Sequence, residues 1–206
     1  MNLVEYTWIY KNALSKRICN LIIQEGLKKK LEIAETGFSL NKKRSPQLNK
    51  KNKFKTIRNS NVNFFDNTPW LGRIIDPYIK DANKNAKWDF DIIKPEVFQF
   101  TEYSLNQHYN WHRDSFKYCY PPEHKYAGLV RKLSTSIILS DNTEYQGGDL
   151  HFSFQNTFNK INHLTLKKLE IGTIVVFPSF LWHKVSKVTK GKRYSLVNWY
   201  IGERFK

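Results

Sequence analysis

The stretch Val97-Phe98-Gln99-Phe100-Thr101-Glu102-Tyr103 opens the part of the sequence that decides the fold. It is rich in β-branched and aromatic residues, which favour strands. Similar runs follow it, separated by turn-forming residues, at 133–139, 149–154, 173–177 and 194–200. Short strands with regular turn signals between them are typical of a sandwich or a barrel. The sequence therefore predicts a mainly β core.

Two helices are predicted to precede this core. The first begins after Ser15, a residue that caps helices, and its apolar residues recur at helical spacing as far as Leu31. The second begins at Thr68 with Pro69 in the first turn, and Pro77 is expected to kink or split it. The length of 206 residues fits one domain with a single core.

The composition excludes several classes of protein. With 40% hydrophobic and 15% aromatic residues, the chain is expected to be globular rather than disordered. No run reaches the ~18 apolar residues that a membrane-spanning helix needs, and the N-terminus lacks a secretory signal. The two cysteines, Cys19 and Cys119, are predicted to be unpaired thiols of a reducing compartment. We therefore expect a cytoplasmic protein without a membrane segment.

The net charge of +16 reflects 34 basic and 18 acidic residues. Such a charge attracts nucleic acid and acidic protein surfaces, but it also keeps a protein soluble. Charge alone therefore does not favour nucleic-acid binding over other functions. Many of the basic residues lie in 39–61, which has few apolar residues. This segment is interpreted either as a solvated basic loop or as a lid that closes over substrate.

Two short motifs place ionisable groups in the β core. In Trp111-His112-Arg113-Asp114, the histidine and the aspartate are two residues apart, so both side chains of an extended segment lie on one face. Trp182-His183 supplies another imidazole from a distant strand, which a jelly roll brings alongside. Two histidines and one carboxylate are the ligands of non-haem Fe(II) oxygenases. These three residues are therefore predicted to bind a metal.

The residues that follow His183 predict an anion site. Lys190-Gly191-Lys192 is expected to form a hairpin turn that returns Arg193 toward His183, with Ser195 and Trp199 on the same face as Arg193. A guanidinium beside a hydroxyl is well suited to bind a carboxylate. A dicarboxylate could chelate the metal with one end and reach Arg193 with the other.

Taken together, the motifs resemble those of the prolyl-4-hydroxylase-type Fe(II)/2-oxoglutarate dioxygenases, and the length is similar to that of small bacterial and viral members. The stretches that resemble the family's metal-binding, co-substrate-binding and strand-entry motifs are 112–114, 178–185, 190–196, 147–150 and 172–173. The resemblance covers roughly residues 58–202. It departs from the family pattern before Tyr109, where Asn106-Gln107 replaces the usual Gly-Gln.

The resemblance implies a double-stranded β-helix, or jelly roll, in about 95–203, with helical support and the basic loop in about 1–90. It also implies that His112, Asp114 and His183 bind Fe(II). Arg193 would pair with the distal carboxylate of 2-oxoglutarate. The other residues that the resemblance places near the co-substrate or substrate are Ser195, Tyr103, Tyr109 and Trp199. Ascorbate is expected as a reductant.

The implied reaction hydroxylates a C–H bond and releases succinate and CO₂. The favoured substrate is a prolyl residue of a protein or peptide, and the basic charge favours an acidic one. Two alternatives stay open: the same chemistry on a nucleic-acid base or free amino acid, and a non-enzymatic binding module on the same fold. Trp111 and Trp182 are expected to pack in the core. The remaining histidines are expected to be structural or exposed: His108, His124, His151 and His163.

Overall fold

The computed structural model describes residues 6–34, 57–66, 68–115, 118–155 and 161–205. Within these ranges the helices are α1 (Lys16–Lys28) and α2 (Pro69–Asn85). The strands are β1 (Trp8–Tyr10), β2 (Glu32–Ile33), β3 (Arg58–Asn59), β4 (Asn61–Phe65), β5 (Lys94–Pro95), β6 (Phe98–Tyr103), β7 (His108–His112), β8 (Val130–Ile138), β9 (Tyr145–Gly147), β10 (Leu150–Gln155), β11 (Ile161–Leu166), β12 (Ile174–Pro178), β13 (Trp182–Val185), β14 (Val188–Gly191) and β15 (Arg193–Gly202). The predicted mainly β fold with helices near the N-terminus is confirmed.

The strands pair into two main antiparallel sheets and a short ribbon. The larger sheet has the order β1-β12-β8-β15-β6-β4-β2. In addition, β5 pairs with the C-terminal end of β15, at Tyr200 and Ile201. The smaller sheet has the order β11-β10-β13-β7-β3, and β14 pairs with β9 in the ribbon. Strands far apart in sequence are neighbours in both sheets, as a jelly roll requires. The predicted jelly roll is therefore confirmed.

The inner core lies between the two sheets. Phe152 and Val185 from the smaller sheet pack with Tyr103, Val175 and Phe177 from the larger one. The rings of Phe152 and Phe177 meet edge to face, with their centroids 5.0 Å apart. In β13, His183 alternates with outward-facing residues and lies opposite Phe152 of β10. The inner faces therefore carry both this apolar core and the residues of the predicted metal site.

Both helices pack on the outer face of the larger sheet. Cys19 and Ile22 of α1 belong to the same buried cluster as Phe100 of β6. Gly26, which weakens α1 as an isolated helix, is explained by this contact. A Cβ atom at that position would come within 2.5 Å of the Phe100 ring. The glycine thus allows the helix to approach the sheet closely.

The expectation that Pro77 would split the second helix is wrong. Although Pro77 lies inside it, α2 continues from Pro69 to Asn85. The proline cannot donate a backbone hydrogen bond to the preceding turn. However, Leu71, Ile75 and Ile79 are fully buried against the sheet on either side of it. Tertiary packing therefore maintains a helix that its sequence alone would interrupt.

Most of the basic segment 39–61 lies outside the described residues, so neither prediction for it is tested there. Its described end is a strand rather than a loop, because 58–61 contributes β3 and the start of β4. Both cysteines are free, as expected. Among the described residues, no helix is long and apolar enough to cross a membrane.

Candidate metal centre

The three predicted metal-binding residues meet where β7 pairs with β13. His112 and His183 lie directly opposite each other, with ring centroids 4.1 Å apart. Asp114 follows β7, and its carboxylate oxygens lie 3.7 Å from His112 Nε2 and 3.5 Å from His183 Nε2. One possible ligand atom from each residue lies within 4.8 Å of the others. The structure therefore brings these three residues together in an arrangement that could hold one ion.

The position of Asp114 is fixed by the turn before β13. Its backbone N–H donates to the carbonyl oxygen of Ser179 at 2.9 Å, and so does the N–H of Ser115. The Ser179 hydroxyl in turn pairs with the Ser134 hydroxyl of β8 at 2.8 Å. Ser179 therefore links the backbone of Asp114, at the end of β7 in the smaller sheet, to β8 in the larger sheet.

A β-bulge in β7 aligns an additional side chain with the site. His112 is opposite His183 and Tyr109 is opposite Val185, so β7 has one more residue than β13 between these pairs. As a result, Tyr109 and His112 lie on the same face although they are three residues apart. Their rings stack with centroids 3.4 Å apart at 10°. Tyr109 therefore fixes the plane of the His112 ring.

The backbone sets the tautomers of both histidines. His112 Nδ1 lies 2.7 Å from the carbonyl oxygen of Asn110, and His183 Nδ1 lies 2.9 Å from that of Leu181. Because a carbonyl oxygen only accepts, each Nδ1 carries the proton and donates it. In the neutral ring this tautomer leaves the lone pair on Nε2, on the side of Asp114, which is the form that binds metals.

Electrostatics keep His112 and Asp114 in their ligating forms. Burial and the neighbouring His183 lower the pKa of His112 to about 3 despite the nearby Asp114 carboxylate. Burial would raise the pKa of Asp114, but His183 and His112 outweigh it and lower this pKa to about 2. Near pH 7, His112 is therefore neutral and Asp114 is ionised. Two imidazoles and one carboxylate fit Fe(II).

Arg193 lies on the inner face of β15, opposite Tyr103 of β6. It is 1% exposed, and its NH1 group donates to Ser195 Oγ at 3.1 Å. Its Nε has no hydrogen-bond partner in the part of the chain that the structure describes. No described carboxylate forms a salt bridge with it, although a buried charge is costly unless paired. An anionic ligand such as a carboxylate fits this position.

Gly148 lies against the stem of Arg193. Its φ is +65°, and a Cβ atom there would come within 2.7 Å of Arg193 Cδ. A residue with a side chain would therefore be strained and would also displace the arginine. The Gly147-Gly148 pair of the sequence thus has a structural role beside the anion site.

Near the metal centre lies Arg131, an arginine that pairs with a carboxylate and that no sequence motif indicated. Arg131 binds Glu96 through two hydrogen bonds of 2.8 and 2.7 Å, and Tyr120 donates to the same carboxylate at 2.7 Å. The Arg131 guanidinium lies 3.8 Å from the ring centroid of Trp199. The Trp199 indole helps to lower the pKa of Asp114, although its N–H has no well-aligned acceptor among the described residues. Trp199 therefore lies near Asp114 and Arg131.

Arg58 of β3 is a further residue that the sequence did not reveal. It is 7% exposed, pairs with Tyr109 across the strands, and holds its guanidinium 4.6 Å from the Tyr109 ring centroid. Its Nε donates to Ser60 Oγ at 3.0 Å. No described carboxylate forms a salt bridge with it. In the sequence it is one of many basic residues near 39–61, and no local signal distinguishes it.

Tyr103 and Tyr109 keep their protons near pH 7. Burial raises the pKa of both, and to about 12 for Tyr109, although the positive charge of Arg58 opposes this. Both phenols are therefore hydrogen-bond donors at the site. The structure thus places all five of the predicted co-substrate and substrate residues near the metal centre or Arg193: Tyr103, Tyr109, Arg193, Ser195 and Trp199.

The expectation that Trp111 and Trp182 pack in the core is wrong. Trp182 is 46% exposed and Trp111 is partly exposed. Each precedes a histidine that faces inward, so alternation along the strand directs the indole outward. By contrast, His163 is exposed and His151 Nδ1 is within 2.9 Å of Thr165 Oγ1 on the outer face, as expected of residues outside the site.

Comparisons with known proteins identify the family. The model of the 2OG-Fe(II) oxygenase superfamily matches residues 98–201, which is just over half of the chain. The chain belongs to this family, and the resemblance seen in the sequence is confirmed. Fe(II) and 2-oxoglutarate, the cofactors predicted from the sequence, are the pair for which the family is named.

Among the relatives, a PKHD-type hydroxylase of Xylella fastidiosa (strain M12) is 31% identical over 103 residues, covering 49% of this chain and 42% of that protein. The chain thus spans less than half the length of this curated relative. A Pseudomonas putida prolyl-4-hydroxylase superposes with a TM-score of 0.63 at 16% identity, covering 97% of this chain and 94% of the other. A Trichoplax adhaerens prolyl hydroxylase, in complex with a hypoxia inducible factor peptide fragment, superposes with a TM-score of 0.61 at 15% identity, covering 96% and 84%. At these identities, the two structures show a shared fold.

Proposed function

We propose that the protein is an Fe(II)- and 2-oxoglutarate-dependent dioxygenase that hydroxylates a prolyl residue of a protein or peptide. One observation carries this proposal: His112, Asp114 and His183 converge within 4.8 Å, and they do so in the inter-sheet space that also holds Arg193, with which no described carboxylate pairs. A metal triad and a carboxylate clamp are both needed for this chemistry, whereas a simple binding module needs neither. Hydroxylase activity is also what the name of the Xylella relative states.

In this proposal, His112, Asp114 and His183 hold Fe(II). Fe(II) with bound 2-oxoglutarate supplies the oxidation, in which O₂ converts 2-oxoglutarate to succinate and CO₂ and one oxygen atom enters the substrate C–H bond. The chain binds and orients these groups and excludes water from them. The backbone carbonyls behind both Nδ1 atoms and the Tyr109 stack on His112 keep the ligands in place before the ion binds.

The Arg193 guanidinium would hold the distal carboxylate of 2-oxoglutarate. Its Nε–H, which has no hydrogen-bond partner among the described residues, and the Ser195 hydroxyl offer donors in a buried space. Tyr103 lies opposite Arg193 and keeps its phenolic proton, so it adds a donor on the neighbouring strand. An arginine suits this task because its planar fork matches a carboxylate.

The substrate would bind beside Tyr109 and Trp199. These rings, covered by the cations of Arg58 and Arg131, form an aromatic wall near the metal ligands. Because His112 and Arg58 both lie over the Tyr109 ring, an apolar prolyl ring would contact the edge of this ring rather than its face. No described carboxylate forms a salt bridge with Arg58, whose Nε donates to Ser60 Oγ, and this supports an acidic peptide as substrate.

We further propose that residues 1–206 act as one oxygenase domain in the cytoplasm. The helices pack on the same sheet that carries Arg193, which supports a single folding unit. Free thiols at Cys19 and Cys119 support a reducing compartment. Ascorbate as a reductant stays a prediction, to be tested by adding it to the assay described next.

The test measures succinate release from 2-oxoglutarate by the purified chain with Fe(II), together with mass spectrometry of pooled substrates. We expect a prolyl-containing peptide to gain one oxygen atom. His183→Ala should abolish succinate release because a metal ligand is lost, whereas His124→Ala, outside the site, should not. No Fe(II)-dependent succinate release in any pool would refute the oxygenase. An oxidised oligonucleotide or free amino acid, with peptides unchanged, would refute the prolyl substrate alone.

A further inference from the structure

Two indoles and two cations form an array on the outer face of the smaller sheet. Trp111 of β7 and Trp182 of β13 point outward beside the inward-facing histidines. Lys184 Nζ lies 5.0 Å from the Trp111 ring centroid, and Arg113 Cζ lies 5.0 Å from the Trp182 ring centroid. We call these four residues the outer indole face. Each cation lies across the β7–β13 pair from the indole it covers.

Imidazole rings extend this array across the sheet. His151 of β10 and His163 of β11 lie beside Trp111, with ring centroids 6.5 and 6.0 Å from it. The His151 Nε2 atom has no hydrogen-bond partner within the described ranges. A row of planar rings therefore crosses four strands.

The outer indole face is open to solvent in the described part of the chain. Trp182 is 46% exposed, and Arg113 and His163 are exposed as well. The described helices cannot cover it, because their buried residues pack into the cluster on the larger sheet. A large exposed aromatic surface rimmed by polar groups is typical of an interaction site.

The chemistry of this face favours a polyanion. The strands β3, β7, β10, β11 and β13 contain no aspartate or glutamate. No described carboxylate forms a salt bridge with Arg113 or Lys184. Asp149, which directly precedes β10, acts on the His151 imidazole, but the chain as a whole carries +16.

We propose that the outer indole face binds single-stranded nucleic acid. Indole and imidazole rings stack on unpaired bases of any sequence, while neighbouring cations contact the phosphates. A duplex hides the faces of its bases, whereas a single strand presents them at regular intervals beside its phosphates. The combination of planar rings and cations without a described salt bridge therefore fits a single strand best.

This surface is separate from the metal centre. The two occupy opposite faces of the same sheet, so nucleic acid outside would leave the inter-sheet space open to a peptide. The inference does not depend on the proposed function, because it concerns binding without iron or 2-oxoglutarate. Its experiment is therefore performed on the metal-free full chain.

The test follows fluorescence anisotropy of labelled oligo(dT) and oligo(rU) of about 12 nucleotides. We expect salt-dependent binding of these single strands and weaker binding of a duplex of equal length. Trp182→Ala should weaken binding about tenfold or more, because one stacked base is lost. Trp182→Phe, which keeps an aromatic ring, should retain most of the affinity.

A pair of charge variants locates the phosphate contacts. Arg113→Gln with Lys184→Gln should reduce the slope of log affinity against log salt by about 1.4, at about 0.7 for each phosphate contact of a single strand. Lys80→Gln with Lys84→Gln removes the same charge from exposed positions of α2 and should leave the slope unchanged. Circular dichroism checks that each variant is folded, and the charge variants still decide the question if Trp182→Ala is not.

Three results would overturn the proposal. One is the absence of binding at low salt. Another is an equal loss of affinity in both charge pairs, which would mean a diffuse charge effect. The last is binding of a poly-glutamate peptide or of the duplex as tight as that of the single strand, which would assign the surface to an acidic protein or to duplex DNA.

Discussion

The two ends of the inter-sheet space differ in how they treat a buried arginine. At one end, Arg131 is held by Glu96, and Tyr120 completes the hydrogen bonds of that carboxylate. At the other, Arg193 is more deeply buried, yet among the described residues its only hydrogen-bond partner is the Ser195 hydroxyl, and its guanidinium lies 5.5 Å from the Tyr103 ring centroid. A paired arginine is satisfied by the fold, whereas an unpaired one is satisfied only by a ligand. This difference distinguishes an arginine that stabilises the fold from an arginine whose charge is available to bind an anion.

Removing Arg131 should produce the largest loss of stability. Arg131→Met leaves Glu96 buried without its cation, which costs about 3–5 kcal/mol of unfolding free energy. Arg193→Met, the matched control, removes a buried charge that no described carboxylate pairs with, so it should leave that free energy unchanged or raise it. Urea unfolding of the metal-free protein measures both values. Equal losses in the two variants would erase the distinction between the two arginines.

Arg193→Met should instead impair co-substrate binding. Losing one partner of a buried charge pair costs about 2–5 kcal/mol, or roughly 30-fold or more in affinity for 2-oxoglutarate. Metal binding should be spared, since Arg193 is not among the ligands. Calorimetric titration of 2-oxoglutarate into the Co(II)-loaded protein measures the change in affinity. The affinity of Arg193→Lys should lie between those of the unmodified protein and Arg193→Met. Unchanged affinity in Arg193→Met would disprove the clamp.

The metal ligands between these arginines should make stability depend on pH. The pKa of His112 is about 3 in the fold against an ordinary value of 6.5, so the unfolded chain takes up a proton first as pH falls. Stability of the metal-free protein should then decrease from about pH 6.5 to about pH 3, with a slope approaching ~1.4 kcal/mol per pH unit. The pKa of Asp114, lowered to about 2, acts in the same direction between about pH 4 and pH 2.

Unfolding measured across this range in His112→Asn should lose the slope between pH 6 and pH 4.5. His163→Asn, at an exposed position, is the matched control and should keep it. An identical pH dependence in His112→Asn and the unmodified chain would show that His112 is not the group responsible.

The smallest effect is expected at the glycine that packs on Arg193. Gly148→Ala should cost about 1–2 kcal/mol, from its positive φ and its contact with Arg193 Cδ, and should weaken 2-oxoglutarate binding several-fold. Gly128→Ala also has a positive φ but meets nothing within 4 Å, so it should lose stability without losing affinity. If both variants bind 2-oxoglutarate equally well, Gly148 does not position the arginine.

Much of the candidate site could be predicted from the sequence because its residues lie in short motifs. His112 and Asp114 are two residues apart, and Arg193 follows His183 after one turn. The strands that carry them could be predicted from their β-branched and aromatic residues. These local signals were sufficient for a sandwich or barrel and for the three candidate ligands, and the resemblance to the family specified the jelly roll.

The parts that could not be predicted depend on contacts between distant segments. Glu96 directly follows β5, whereas Arg131 lies in β8. Nothing in the sequence around either residue indicates that the two form a pair. The bulge that brings Tyr109 beside His112 depends on the register between β7 and β13. The outer indole face also arises from strand pairing, and for this reason no aromatic and basic motif for nucleic acid is visible along the chain.

Both candidate ligand histidines obtain their tautomer from a main-chain carbonyl two positions earlier. Every amino acid supplies that carbonyl, so exchanging the side chain at Asn110 or Leu181 removes nothing from the imidazole. The tautomer that lets each ring bind a metal ion is thus independent of which side chains occupy these neighbouring positions. Substitutions at these two positions can therefore change the shape of the pocket, and with it the substrate, while both histidines keep the tautomer that binds iron.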